Sequence, residues 1–200
     1  MIRIGIGVEG PSDYIFWNKV LHRHFAGAGI LFRVSVMHGR SKLIRGAAGL
    51  AAAFADTRCA AAFFLVDKDK DPCMGSIYHA FADDFRDRLR HRTGQLPCRL
   101  CVADRELESW FLADEEAMRK ALGFAEYSAG ASGGKIAGKG KLEKLLIEHA
   151  SVGLAFNEIA FAKLIAGEFN PENAAKNSAS FAYFWKALES VIRAAKGGVE

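Results

Sequence analysis

The chain has 200 residues, half of them hydrophobic and a quarter charged, with a net charge of +4. That is ordinary globular composition, and a chain of this size buries roughly 70% of its unfolded surface without needing disulfide or metal staples. Mild basicity permits a polyanionic partner without requiring one, and no apolar run reaches the length of about 18 residues that a membrane span needs.

At the amino end Ile2, Ile4, Ile6 and Val8 alternate with Arg3, Gly5, Gly7 and Glu9, the period-two pattern of a strand. Arg3 and the early glycines are unlike a signal peptide, so a cytoplasmic location is expected, with Cys59, Cys73, Cys98 and Cys101 reduced. Gly10-Pro11-Ser12 breaks the strand and opens a helix, for which Ser12 is the expected N-cap, with Asp13 favourable near its positive end. Ile30 to Met37 reads as the second strand, and a second helix follows from about Ser41 to Asp56. Ala60 to Val66 is a continuous apolar run, as expected of a strand buried on both faces of a parallel sheet. It stops at Asp67-Lys68-Asp69-Lys70-Asp71-Pro72. A third helix is expected near Met74 to Arg92, a fourth strand over Leu96 to Ala103, and another helix beginning near Asp104.

Strands alternating with helices of crossover length predict an α/β fold with a four-stranded parallel sheet, helices on both faces and right-handed connections. This core is expected over residues 1–115. Residues 116–200 are expected to form a helical appendage packed on it, with helices at about Lys141–Ala150, Glu158–Glu168 and Ser178–Ala195. Five glycines between Gly130 and Gly140 predict a mobile loop, flanked by Lys135, Lys139 and Lys141.

In a parallel sheet all carboxyl ends lie on one edge, where ligands bind. Glu9 closes strand one, Asp67 and Asp69 close strand three, and Glu106 and Glu108 follow strand four close behind Asp104. Like charges delivered to one edge are costly unless a cation sits among them. Oxygen ligands suit Mg²⁺ or Mn²⁺, and Mg²⁺ keeps waters for a phosphate to replace. Arg40 and Lys42 reach the same edge as candidate phosphate-binding groups. Acids for a metal beside bases for a phosphate point to phosphoryl or phosphodiester chemistry.

Blander readings stand beside these. Glu9 could cap the next helix, Asp69 and Asp71 could be turn acids, and Arg40 and Lys42 could be solvated surface. Two positions apart on a helix, Glu106 and Glu108 would differ by about 200°, so only one of them is expected to face the site. Asp67-x-Asp69-x-Asp71 fails as an EF-hand, because Pro72 stands where Gly is needed. Gly130 to Lys135 fails as a P-loop, because the spacing is short and Ile136 replaces Ser or Thr. Cys98-x-x-Cys101 would send its sulfurs to opposite strand faces, which favours core cysteines over zinc or redox chemistry. Gly5-x-Gly7-x-x-Gly10 matches the dinucleotide fingerprint, with Arg40 as a possible 2′-phosphate partner. The alternation running through the glycines, and Glu9 facing a pyrophosphate, make an NADP-binding Rossmann protein the lesser alternative.

The Glu of Val8-Glu9-Gly10 and the Asp-x-Asp of Asp67-Lys68-Asp69 resemble the Toprim fold of topoisomerases, primases and OLD-type nucleases. Glu106-Leu107-Glu108-Ser109-Trp110-Phe111-Leu112-Ala113-Asp114 is similar to a stretch of a Toprim-like family of unknown function, DUF4276. The lysine-rich segment ending in Lys141-Leu142, and Ser180-Phe181 with Phe184-Trp185, also resemble that family. The resemblance implies Glu9 as general acid/base, Asp67 and Asp69 as Mg²⁺ ligands alongside Glu9, and Glu106 or Glu108 completing the site. It implies phosphodiester chemistry on DNA or RNA, with a link to phage defence or a partner ATPase. The chain lacks a topoisomerase's tyrosine domain and any ATPase of its own. The expected function is therefore a metal-dependent nuclease or phosphotransferase; the alternative is a non-catalytic module binding nucleic acid or a partner in a defence complex.

Overall fold

A computed structural model describes residues 1–71, 73–89, 96–123, 127–129 and 157–197. Four strands, β1 (Ile2–Val8), β2 (Ile30–Val36), β3 (Ala61–Asp67) and β4 (Cys98–Ala103), form one all-parallel sheet in the order β2-β1-β3-β4. Helices α1 (Pro11–His24), α2 (Arg40–Asp56) and α3 (Met74–Leu89) are the crossovers. After β4 come α4 (Glu108–Leu112), α5 (Glu115–Leu122), α6 (Glu158–Glu168), α7 (Pro171–Asn177) and α8 (Ala179–Gly197). The result is a Rossmann-like α/β sheet with helices on both faces.

Two local expectations need correction, and the sequence reading does not contain α7. The helix expected near Asp104 begins at Glu108, because Asp104 to Leu107 make a turn first. The cap of α1 is Gly10 rather than Ser12; Pro11, with its fixed φ, takes the first helical position, and the Asp13 carboxylate accepts the Gly10 N–H at 2.8 Å. Helix α7 is too short to show a hydrophobic period. Its signals are Pro171 at the first turn and Asn170, whose side chain accepts the Glu172 N–H at 2.9 Å. The expected helix at Lys141–Ala150 and the glycine-rich loop with Lys135, Lys139 and Lys141 lie outside the described residues.

The alternation of β1 sorts the core into two layers. Ile4, Ile6 and Val8, with Phe63, Leu65 and Cys101, face α1, α4, α6 and α8. On the other side Ala62, Phe64, Val66 and Leu100 face α2 and α3. Cys98 and Cys101 fall in different layers, and all four cysteines are free thiols. An aromatic seam fixes the C-terminal helices to the first layer. Trp110 of α4 stacks on Phe184 of α8 with ring centroids 5.5 Å apart, and donates its indole N–H to Ser180 at 2.8 Å. Trp17 of α1 closes the seam edge-on at 5.1 Å from Phe184. Among the described residues no helix is long and apolar enough to cross a membrane.

Gly5 and Gly7 lie inside β1, on the α2 side. A Cβ at Gly5 would stand 2.4 Å from the Phe54 ring, and one at Gly7 would stand 3.0 Å from Leu50 and Phe64. These glycines let α2 approach the sheet. Gly5→Ala should therefore cost about 1–3 kcal/mol by overpacking. Urea unfolding would measure it, and adding Phe54→Leu should recover part of the loss, whereas two independent effects would simply add.

Candidate functional site

The strand order places the reversal of winding between β1 and β3, and at such a reversal the two crossovers diverge and leave a crevice at the carboxyl ends. Glu9 leaves β1 and Asp67 ends β3 on either side of it. Glu9 Oε1 accepts the Asp67 N–H at 2.9 Å, and Asp67 Oδ1 accepts the Leu107 N–H at 2.7 Å. The Glu9 carbonyl accepts the Gly39 N–H at 2.9 Å. Four segments at the carboxyl edge are thus tied to one another through the two acids.

The crevice opens into a cavity of about 410 Å³ lined by seven carboxylates: Glu9, Asp13, Asp67, Asp69, Glu106, Glu108 and Glu158. His38 and Gly39 complete one wall, and among the described residues no Lys or Arg lines it. In a chain of net charge +4, negative charge is concentrated at this one place. Burial raises the proton affinity of Asp67 well above the carboxylate range, and Glu9, Asp13 and Glu108 raise it further. Burial likewise pushes Asp13 up to about 7, with the Gly10 N–H opposing and Glu108 and Glu9 adding to the rise. Glu9 is raised chiefly by burial, against the opposing Asp67 N–H.

The basic residues expected here do other work. Arg40, the first residue of α2, donates to the carbonyls of Asp67 and Lys68 at 3.0 Å each. It also pairs with Asp71 at 2.7 Å and Asp69 at 3.4 Å. It braces the loop after β3 from outside the cavity. Lys42 is exposed and does not line the cavity, and Lys68 pairs with Asp104 at 3.5 Å. Three non-glycine residues of the rim loops, His38, Asp69 and Arg105, hold left-handed backbone with φ of 56°, 51° and 75°. The Asp69 N–H donates to the Arg105 carbonyl, which joins two of those loops.

A family model described as a domain of unknown function, DUF4276, matches residues 8–189. The chain belongs to the DUF4276 family. No curated protein and no solved structure gives a match.

In this DUF4276 chain the stretch from Glu106 to Asp114 divides by role. Glu106 and Glu108 both line the cavity, because Glu106 precedes α4 and the 200° separation of two helical positions does not apply. Trp110, Phe111 and Leu112 are core residues. Asp114, fully buried, caps α5 by accepting the Ala117 N–H at 3.1 Å, and it also accepts the Asn170 N–H. Its role is scaffolding. Two lining acids escape a sequence reading. Asp13 looks like a helix-start acid, although its place three residues after Gly10 is a usable signal; Glu158 stands far down the chain on α6, and nothing local marks it.

The donor chemistry of the site suits a hard divalent cation: the acids are oxygen ligands, buried and crowded, with no thiol among them. Among the described residues no three His, Cys, Asp or Glu side chains are already grouped as a metal-holding set. The fit is therefore to an ion such as Mg²⁺ that takes one or two protein carboxylates and keeps its waters, rather than to a closed protein cage.

Asp13 supplies a pH test. Its carboxyl releases a proton near 3.8 when unfolded and near about 7 when folded, so the folded state binds the extra proton between those values. Stability then falls as pH rises through that window. The thermal midpoint in chelator should drop between about pH 4.5 and about pH 7.5. Asp13→Asn, which keeps an acceptor for the Gly10 N–H, should flatten the slope; an unchanged slope would place the proton elsewhere.

Proposed function

We propose that this DUF4276 chain performs Mg²⁺- or Mn²⁺-dependent phosphodiester chemistry on nucleic acid, as a nuclease or related phosphotransferase. The observation that carries the reading is the convergence of seven carboxylates on one cavity at the switch point of a parallel sheet. Asp67 and Asp69 are the residues that would hold the ion, with Glu9 beside them. Asp67 Oδ1 accepts the Leu107 N–H, and Oδ2 is the oxygen that would face an ion. A bound Mg²⁺ would neutralise charge building on the phosphate and orient it.

The chain's own groups have separable tasks. Glu9, raised by burial, takes or returns the proton of the attacking or leaving oxygen. Arg40 fixes the loop that carries Asp69. Glu106 and Glu108 extend the acidic wall over which water or a leaving group is placed. The resemblance to Toprim proteins supports the same roles, and it extends the proposal to phage defence beside a partner ATPase.

A second reading is a non-catalytic module that binds nucleic acid or a partner protein. It is favoured by one observation: among the described residues no Lys or Arg lines the cavity wall to meet a phosphate substrate. The two readings part on the acids. Calorimetric titration of the wild type with Mg²⁺ or Mn²⁺ should show saturable binding. Asp67→Asn with Asp69→Asn keeps an acceptor for the Leu107 N–H and should weaken that binding at least about tenfold. Glu9→Gln should lower metal-dependent cleavage of single- or double-stranded DNA or RNA by roughly 10²–10⁴-fold. Failure of the wild type to bind either ion would sink the enzyme reading; a binding module would keep its nucleic-acid affinity in both variants.

A further inference from the structure

The two edges of the sheet are not alike. On β4 the outward carbonyl of Leu100 accepts the Tyr78 hydroxyl at 3.3 Å, so α3 covers that edge. On β2 the phase of the ladder fixes what is left open. The Ile2 N–H donates to the Gly29 carbonyl at 2.9 Å at one end, and the Met37 N–H donates to the Val8 carbonyl at 2.9 Å at the other. In a parallel pair successive residues turn alternately toward and away from the neighbour. Odd-numbered residues from Gly29 to Met37 therefore face β1, and Ile30, Phe32, Val34 and Val36 direct their N–H and C=O groups outward. Among the described residues no strand pairs with that side.

This open edge forms the floor of a second cavity of about 370 Å³. Tyr14 and Asn18 of α1 wall it on one side, and Leu50 and Ala53 of α2 wall it on the other. Two helices standing beyond an edge strand leave a slot for one extended chain, while a second helix-covered sheet would meet both walls. Among the described residues no carboxylate lines the slot, and Arg33, exposed in its lining, makes no ion pair.

We propose that β2 accepts an extended, acidic segment of a partner protein as a fifth strand. The outward N–H and C=O groups of Phe32 and Val34 supply the main-chain bonds. Arg33 pairs with a carboxylate of the incoming strand, and Tyr14, Leu50 and Ala53 take its alternate side chains. The site is separate from the acidic cavity, and its test does not depend on the metal.

The probe is a capped heptapeptide of alternating valine and glutamate, added to the full chain and read by hydrogen exchange and titration. Saturable binding with slowed exchange over Ile30–Val36 is expected. Arg33→Glu should weaken it about tenfold and favour the lysine version of the peptide. Val34→Pro removes an N–H that serves only the free edge, so the sheet should persist while binding is lost. The same peptide methylated on alternate backbone nitrogens should fail against the unaltered protein, a control that needs no variant to fold. No protection of β2, or equal binding by the methylated peptide, overturns the proposal. So does a wild-type dimer, abolished by Val34→Pro and seen by sedimentation without peptide, which would make a second copy the occupant.

Discussion

Glu9 and Asp67 each give one carboxylate oxygen to a backbone N–H in the next segment, and the shape of the carboxyl edge depends on those two bonds. The first bridges β1 to the end of β3 across the switch point, where no crossover helix holds the strands. The second carries the link on to Leu107, just ahead of α4. Hydrogen bonds from neutral donors to a charged acceptor are stronger than neutral pairs, typically by about a factor of two. The same residues that would bind a cation thus also set the distance between the strands that bear them. Replacing either with alanine would disturb geometry and chemistry together, whereas the amide isosteres separate the two.

That arrangement is electrostatically uncomfortable without a cation, and the chain manages it in two ways. Inside, burial and the neighbouring carboxylates raise the proton affinity of Asp13 and Asp67. Outside, Arg40 balances Asp69 and Asp71 and is bonded to two carbonyls of the same loop. A proton can be exchanged for another cation, while a guanidinium fixed by four contacts cannot. The division leaves the cavity able to change its charge while its rim keeps its form.

The strands were legible from sequence because their signals are strong and local: alternation over Ile2 to Val8, an unbroken apolar run before Asp67, and an abrupt change to charge at its end. Parallel pairing then follows from the alternation with helices, and it brings Glu9, Asp67 and Asp69 to one edge without further information. What sequence reading misjudged were short elements. A helix of five residues after a turn, at Glu108–Leu112, does not complete enough turns to reveal its phase, so the facing of Glu106 and Glu108 could not be read. The partners of Arg40 are not legible either, because charge alone does not say which acid a guanidinium will meet. Glu158 reaches the cavity only because the tertiary fold returns α6 to α1, a non-local fact that no window of sequence contains.

The family match runs into α8, well past β4, and the packing gives a physical reason for that extent. Trp17, Trp110 and Phe184 interlock α1, α4 and α8, and Asp114 bonds the start of α5 to the backbone just ahead of α7. Helix α6 lies between these anchors and against α1, with Phe161, Ala162 and Ile165 in the same core as Ile4 and Ile6. Its first residue is Glu158, in the cavity wall. Without the C-terminal helices one face of the sheet would expose large aromatic side chains, and the acidic cavity would lose a side. The carboxyl edge of the sheet and the helices that follow it therefore make one site.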